Sequence, residues 1–163
     1  ERAVTLLAPT SSDRVLDLFC GLGNFSLPLA RRAGQVVGVE GEASLVARAR
    51  ANAERNGLEN AQFFTANLLH DDLADESIAS AGWAGKFDKV LLDPPRAGAK
   101  EVLPVVARSG AGTVLYISCH PGSLARDAGI LVHEHGYELR AAGVMDMFPH
   151  TAHVESVALF VSG

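Results

Sequence analysis

Short apolar runs alternate with longer amphipathic segments along most of this chain, and few folds accommodate that pattern. Arg14–Phe19 (RVLDLF), Gln35–Glu40 (QVVGVE), Ala61–Thr65 (AQFFT), Lys89–Asp93 (KVLLD) and Thr113–Ser118 (TVLYIS) are aliphatic or β-branched, too apolar to keep one face wet. Strands buried on both sides read this way, as in parallel sheets. Between them, Phe25–Arg32, Ala43–Asn56, Lys100–Arg108 and Ser123–His135 place apolar residues at helical spacing, and Gly57 and Gly136 supply stop signals. The alternation predicts an α/β fold, a mostly parallel sheet with helices on both faces. The tail departs from the rhythm. Tyr137–Met147 and Glu155–Val161 read as two strands joined by the loop Phe148–Val154, an antiparallel hairpin that closes the sheet. Leu68–Gly85 is polar and irregular and supports no helix assignment.

The 163 residues contain no repeat, low-complexity tract or linker, so residues 1–163 are read as one domain. No apolar run approaches the ~20 residues of a membrane span, and no secretory signal opens the chain. A cytoplasmic monomer with no membrane partner is expected, its two cysteines, Cys20 and Cys119, reduced. The net charge of −5 fits poorly with a surface that neutralises phosphates. That balance, with no initiator Met two residues before an apolar stretch, leads us to expect a fragment of a longer protein whose basic surface lies elsewhere.

Asp17–Phe25 (DLFCGLGNF) is a strand running into a glycine turn and then a helix. A bare GxG pair, Gly21 and Gly23, is compatible with nothing more than a tight turn. The third glycine that brings a helix close under a pyrophosphate is replaced by Ser26, which argues against a dinucleotide. Two acids favour a different ligand. Asp17 sits at the strand end, and Glu40 ends the second strand, where a carboxylate can accept both hydroxyls of a ribose. An acidic pocket suits a molecule with a ribose, an amino group and a sulfonium but no phosphate: S-adenosylmethionine, with S-adenosylhomocysteine as its product. For Glu40 alone, a solvated loop acid is the commoner outcome. Asp93-Pro94-Pro95-Arg96 follows the fourth strand. Two prolines stiffen the backbone and remove two donors, as a rigid shelf over a reaction centre requires.

Most lone cysteines are inert packing residues, and Cys20 fits that description. Cys119 leaves the fifth strand on the edge where ligands bind such sheets, which makes it a candidate nucleophile. Glu155 opens the last strand and is either a base or an exposed strand-end acid. Cys119, His120, His150 and His153 are metal-ligating types without a metal-site spacing, so no metal is predicted. His70, His133 and His135 read as surface residues.

Four segments in order, DLFCGLGNF (Asp17–Phe25), LLDPPRAGA (Leu91–Ala99), YISCHPGSLARD (Tyr116–Asp127) and DMFPHTAHVES (Asp146–Ser156), make the whole chain resemble the catalytic domain of the RNA uracil-5-methyltransferases. Within that family the resemblance is to the bacterial members that act on 23S ribosomal RNA. It implies a class I S-adenosylmethionine-dependent methyltransferase (Rossmann-like) sheet and transfer of a methyl group to carbon 5 of a uracil in RNA through a covalent cysteine adduct. It further implies Cys119 as nucleophile, Glu155 as base, and cofactor contacts from Phe19, Asn24, Glu40, Asn67 and Asp93. The family commonly carries Asn where His120 stands. Full-length relatives add an N-terminal RNA-binding domain, an iron–sulfur cluster on cysteines and a cofactor-binding glutamine, none of which lies in this sequence. Three alternatives stay open: a transfer-RNA member of the same family, an amino-group methyltransferase using Asp-Pro-Pro, and a non-catalytic module that senses the cofactor.

Overall fold

The computed structural model describes residues 2–70, 73, 82, 83, 85–145 and 155–163. In chain order these form α1 (Arg2–Leu7), β1 (Arg14–Leu18), α2 (Ser26–Ala30), β2 (Gln35–Glu40), α3 (Ala43–Arg55), β3 (Ala61–Thr65) and β4 (Lys89–Leu92). A 3-10 turn (Lys100–Val102) leads into α4 (Leu103–Ser109), followed by β5 (Thr113–Ser118), α5 (Pro121–His133), β6 (Tyr137–Met145) and β7 (Glu155–Ser162). The strands make one seven-stranded sheet in the order β3-β2-β1-β4-β5-β7-β6. The first five pair in parallel. β7 runs antiparallel to both β5 and β6, so the tail hairpin enters the sheet by its second strand.

Alternation along each strand sends successive side chains to opposite faces, and both faces are covered. Leu16, Leu18, Val90, Leu92, Val114 and Tyr116 pack with Leu103 and Val106 of α4 and with Leu124 and Leu131 of α5. Val15, Leu91, Leu115, Ile117 and Val157 meet Val4 and Leu7 of α1 and Leu29 of α2. Val46, Ala49 and Ala53, spaced along one side of α3, bury against Phe63 and Cys20. Gly38 is needed within β2, because a Cβ there would lie 2.6 Å from the Phe63 ring.

The five parallel strands fall where the apolar runs lie, but β3, at the edge of the sheet, is not buried on both sides as expected: Gln62 and Thr65 are exposed. The helices differ in detail. Lys100–Arg108 opens as a 3-10 turn, the segment at Phe25–Arg32 is helical only over Ser26–Ala30, and α5 begins at Pro121, whose fixed φ suits a first turn. α1 was not anticipated. The loop expected to join the tail strands, 148–154, lies outside the described residues together with 146 and 147, expected to end the first of those strands, as does most of the irregular stretch 68–85. Among the described residues, no helix is long and apolar enough to cross a membrane.

Candidate active site

The carboxyl ends of β1, β2, β4 and β5 and the start of β7 lie along one edge of the sheet, and the candidate residues are gathered there. β1 gives way at once to Phe19, which holds φ at +64°, a conformation that disfavours any side chain with a Cβ. A non-glycine residue held there is a strained position of the kind that collects at functional sites. Gly21 and Gly23 follow at φ +54° and +85°, and a Cβ on Gly21 would meet nothing within 4 Å, so the turn is open on its outer side.

Phe19, Glu40, Asn67 and Asp93 line one cleft of about 300 Å³, with Gly41, Leu68, Leu69 and Pro95. Glu40 is held in place: its Oε2 accepts the Gly21 N–H at 3.1 Å and its Oε1 accepts the Glu42 N–H at 3.1 Å. Asn67 Oδ1 accepts the Leu69 N–H at 3.1 Å, which shapes the far wall. Pro95 lies in this lining, in the Asp-Pro-Pro segment expected to form a shelf, whereas Gly41, Leu68 and Leu69 carry no signal in the sequence that marks them as lining residues.

Asp17 does not line the cleft. Its side chain is fully buried beneath the turn, Ser26 donates to Oδ2 at 2.5 Å, and among the described residues Oδ1 has no hydrogen-bond partner. Burial above all, with the charges of Asp93 and Glu40 adding to it, raises its pKa to about 7. Ser26 thus serves as a buried donor where a dinucleotide site has its third glycine. Gly21 reaches the cleft through its N–H on Glu40, and Asn24 is exposed on the turn outside the cleft lining. Cys20 packs against Phe63 and the buried face of α3, and burial pushes its thiol well up.

Cys119 is partly exposed, one residue beyond β5 and separated from α5 by His120 alone. The last pairs between β5 and β7 are Ile117 with Val157 and Ser118 with Ser156. Cys119 and Glu155 are the next residues of the two chains beyond that last pair, so both lie at the same end of the β5–β7 pairing. Ser118 Oγ clamps this corner, accepting the His120 N–H and donating to the His120 carbonyl, both at 3.0 Å. His120 caps α5, its Nδ1 accepting the Ser123 N–H at 3.1 Å. Asp93 completes the edge. Its pKa is raised to about 6, mainly by burial and also by the nearby charge of Glu155. The charges of Asp93 and Glu40 act on Asp17 and that of Glu155 acts on Asp93, so these four carboxylates are electrostatic neighbours. Among the described residues no group of three or more His, Cys, Asp or Glu is arranged to hold a metal ion; His150 and His153 lie outside them.

This sheet order, glycine turn and acid-lined cleft are those of the class I S-adenosylmethionine-dependent methyltransferases. Magnesium protoporphyrin IX methyltransferase of Synechocystis PCC 6803, solved with bound S-adenosylmethionine, shares the fold at 18% identity and a TM-score of 0.71, over 99% of this chain and 76% of that one. Residues 2–162 match the tRNA (uracil-5-)-methyltransferase family profile, and the chain belongs to that family. The 23S rRNA (uracil(1939)-C(5))-methyltransferase of Stenotrophomonas maltophilia is 63% identical over 159 residues, which cover 97% of this chain and 34% of that protein. The tRNA (uracil-54, C5)-methyltransferase of Pyrococcus abyssi, solved with S-adenosyl-L-homocysteine, superposes with a TM-score of 0.77 at 32% identity, over 98% of this chain and 38% of that one. The chain thus spans about a third of the length of the curated relatives it matches.

Proposed function

We propose that this chain is the catalytic domain of an RNA uracil-5-methyltransferase that modifies 23S ribosomal RNA, with Cys119 as nucleophile and Glu155 as base. The observation that carries the reading is the placement of a partly exposed thiol and a carboxylate at the same end of the β5–β7 pairing, beside an acid-lined cleft. The residues present fit S-adenosylmethionine: an oriented Glu40 carboxylate for a ribose, an open glycine turn, and acids rather than phosphate-binding cations. Phe19, Glu40, Asn67 and Asp93 would hold it, with Gly21 orienting Glu40, Asp17 supporting the turn from below and Asn24 on its outer side. When bound, it supplies a methyl group on a sulfonium to the reacting carbon.

Carbon 5 of uracil is a weak nucleophile, and covalent catalysis divides the difficulty. The Cys119 thiolate adds to carbon 6, and the electron pair moves through carbon 5 to the carbonyl oxygen as an enolate. Carbon 5 then bonds to the methyl, whose bond to the donor's sulfonium sulfur would break with the electron pair left on sulfur as a thioether. Glu155 accepts the proton from carbon 5, the carbon 5–carbon 6 double bond re-forms, and the carbon–sulfur bond breaks to return the thiolate. The target base must leave its stack to enter such a site, which favours loops and single-stranded RNA. With a net charge of −5 this chain supplies little phosphate-neutralising surface. We assign that task, and the iron–sulfur cluster, to parts of a longer protein beyond these residues, working as a cytoplasmic monomer.

The first test is Cys119→Ala in the full-length protein. It should abolish the denaturant-stable adduct with 5-fluorouracil RNA, and an adduct that survives would overturn the nucleophile. With unmodified uracil RNA, Glu155→Gln should form the covalent adduct but resolve it at least 100-fold more slowly, the lower end for loss of a general base; normal turnover would exclude Glu155 as base. A transfer-RNA substrate is the second reading, favoured by the 32% identity to the archaeal tRNA enzyme. Mass spectrometry of the methylated RNA separates the two, and a methylated exocyclic nitrogen would refute both.

A further inference from the structure

The chemistry above draws on two loops that leave different strands, Asp93 after β4 and Cys119 after β5. Asp127 takes no part in it, yet its side chain on α5 is fully buried. Four donor contacts converge on its two carboxylate oxygens. Oδ2 accepts the Ala99 N–H at 2.7 Å and the Tyr116 hydroxyl at 2.6 Å. Oδ1 accepts Arg126 Nε at 2.8 Å and Arg126 Nη2 at 2.7 Å. Arg126 Nη2 also donates to the Ala97 carbonyl at 2.8 Å.

These contacts join two places. Ala97 and Ala99 belong to the loop that starts at Asp93, and Gly98 between them closes a turn with its N–H on the Pro95 carbonyl at 2.9 Å. Gly98 holds φ at +89°, and a Cβ there would lie 2.6 Å from Asp127 Oδ2 and collide with Arg126 Nη2. The loop is therefore folded directly onto the Arg126–Asp127 pair. Tyr116 lies on β5, three residues before Cys119, and is fully buried.

We propose that Asp127 is a positioning residue that ties the Asp93 loop to the strand carrying Cys119, so that the methyl-donor cleft and the nucleophile keep one register. This rests on the functional reading above. A carboxylate accepts at both oxygens, and charge-assisted bonds of this kind are short and directional. Asparagine cannot replace it, because its NH₂ group would face either Arg126 or the Ala99 N–H, donor against donor.

The test uses the full-length protein and 5-fluorouracil RNA, with trapped adduct counted per folded molecule. Asp127→Asn should lower the single-turnover rate of adduct formation on the order of 100-fold, as expected for reacting groups displaced by about 1 Å. The kcat for methylation should fall more than the KM for S-adenosylmethionine rises. Tyr116→Phe keeps the ring and removes only the tether to β5; it should slow adduct formation on the order of tenfold, the loss of one hydrogen bond to a charged group. A residue that only stabilises the fold would reduce the number of sites that trap RNA while each remaining site kept the wild-type rate. If Asp127→Asn does not fold, Tyr116→Phe decides the matter alone. Wild-type protein that traps no adduct would refute the functional reading, whereas wild-type trapping with unchanged per-site rates in the folded variants would overturn only the role of Asp127.

Discussion

Asp17 carries its carboxyl where water does not reach it, with one oxygen on Ser26 and the other without a hydrogen-bond partner among the described residues. Its pKa stands at about 7 instead of 3.8, so the folded protein holds a proton that the unfolded chain releases near pH 4. The sign follows from linkage: the stability this group contributes is complete below the ordinary carboxylate range and is lost as pH rises to about 7. Asp93, raised to about 6, acts in the same direction, whereas Asp13, held low by Thr10 and Lys89, loses its contribution on acidification. The difference between wild type and Asp17→Asn isolates the first effect. Asparagine can still accept from Ser26 and does not titrate. Urea unfolding at pH 4.5 and pH 8 should therefore show Asp17→Asn gaining on wild type by several kcal/mol at the higher pH; a pH-independent difference would mean that Asp17 is ionised in the fold.

Elements were legible where one residue pattern decides them. Four of the parallel strands stand out because each is a mostly aliphatic run, β3 because of its Phe63-Phe64 pair, and α3 because Val46, Ala49 and Ala53 recur on one face. α1 was hidden: its six residues have no capping signal, and tertiary contacts of Ala3, Val4 and Leu7 with the sheet decide its shape. The insertion of β7 between β5 and β6 was equally invisible, because pairing partners are set by which edge remains open and not by composition. At the site, Cys119, Glu155 and Glu40 could be chosen from strand ends, while Asn67 rested on family resemblance alone. Asp127 escaped notice because a buried acid within a helix looks in sequence like any surface acid. Helix α5 yields a prediction at this scale. His120 caps it through Nδ1, a task for which asparagine ranks among the best residues. His120→Asn should keep both melting temperature and adduct rate near wild type, while His120→Ala should cost ~1 kcal/mol, which is about 2–4 °C in melting temperature. An unchanged melting temperature in the alanine variant would show that Ser118 and Ser123 hold the corner without the cap.

Over the whole molecule, the sheet gathers acids at the edge where its parallel strands end. Asp17, Asp93, Glu40 and Glu155 come from β1, the loop after β4, β2 and β7, far apart in sequence, and two of them are held partly protonated near neutral pH. A cationic ligand at this edge favours their ionised forms, and the same carboxylates gain little from a neutral ligand of the same shape. S-adenosylmethionine carries a sulfonium and S-adenosylhomocysteine a thioether, so the pair separates charge from shape. Binding of the sulfonium below about pH 7 must then be accompanied by proton release, and its affinity should climb as pH rises through about 6 to 7 and level off above. The thioether should show a much flatter profile. Isothermal titration of the full-length protein with each ligand, in buffers of different ionisation enthalpy at pH 5.5 and pH 8, measures the protons directly. Equal proton release for both ligands would show that these carboxylates answer to desolvation by the bound molecule and not to its charge.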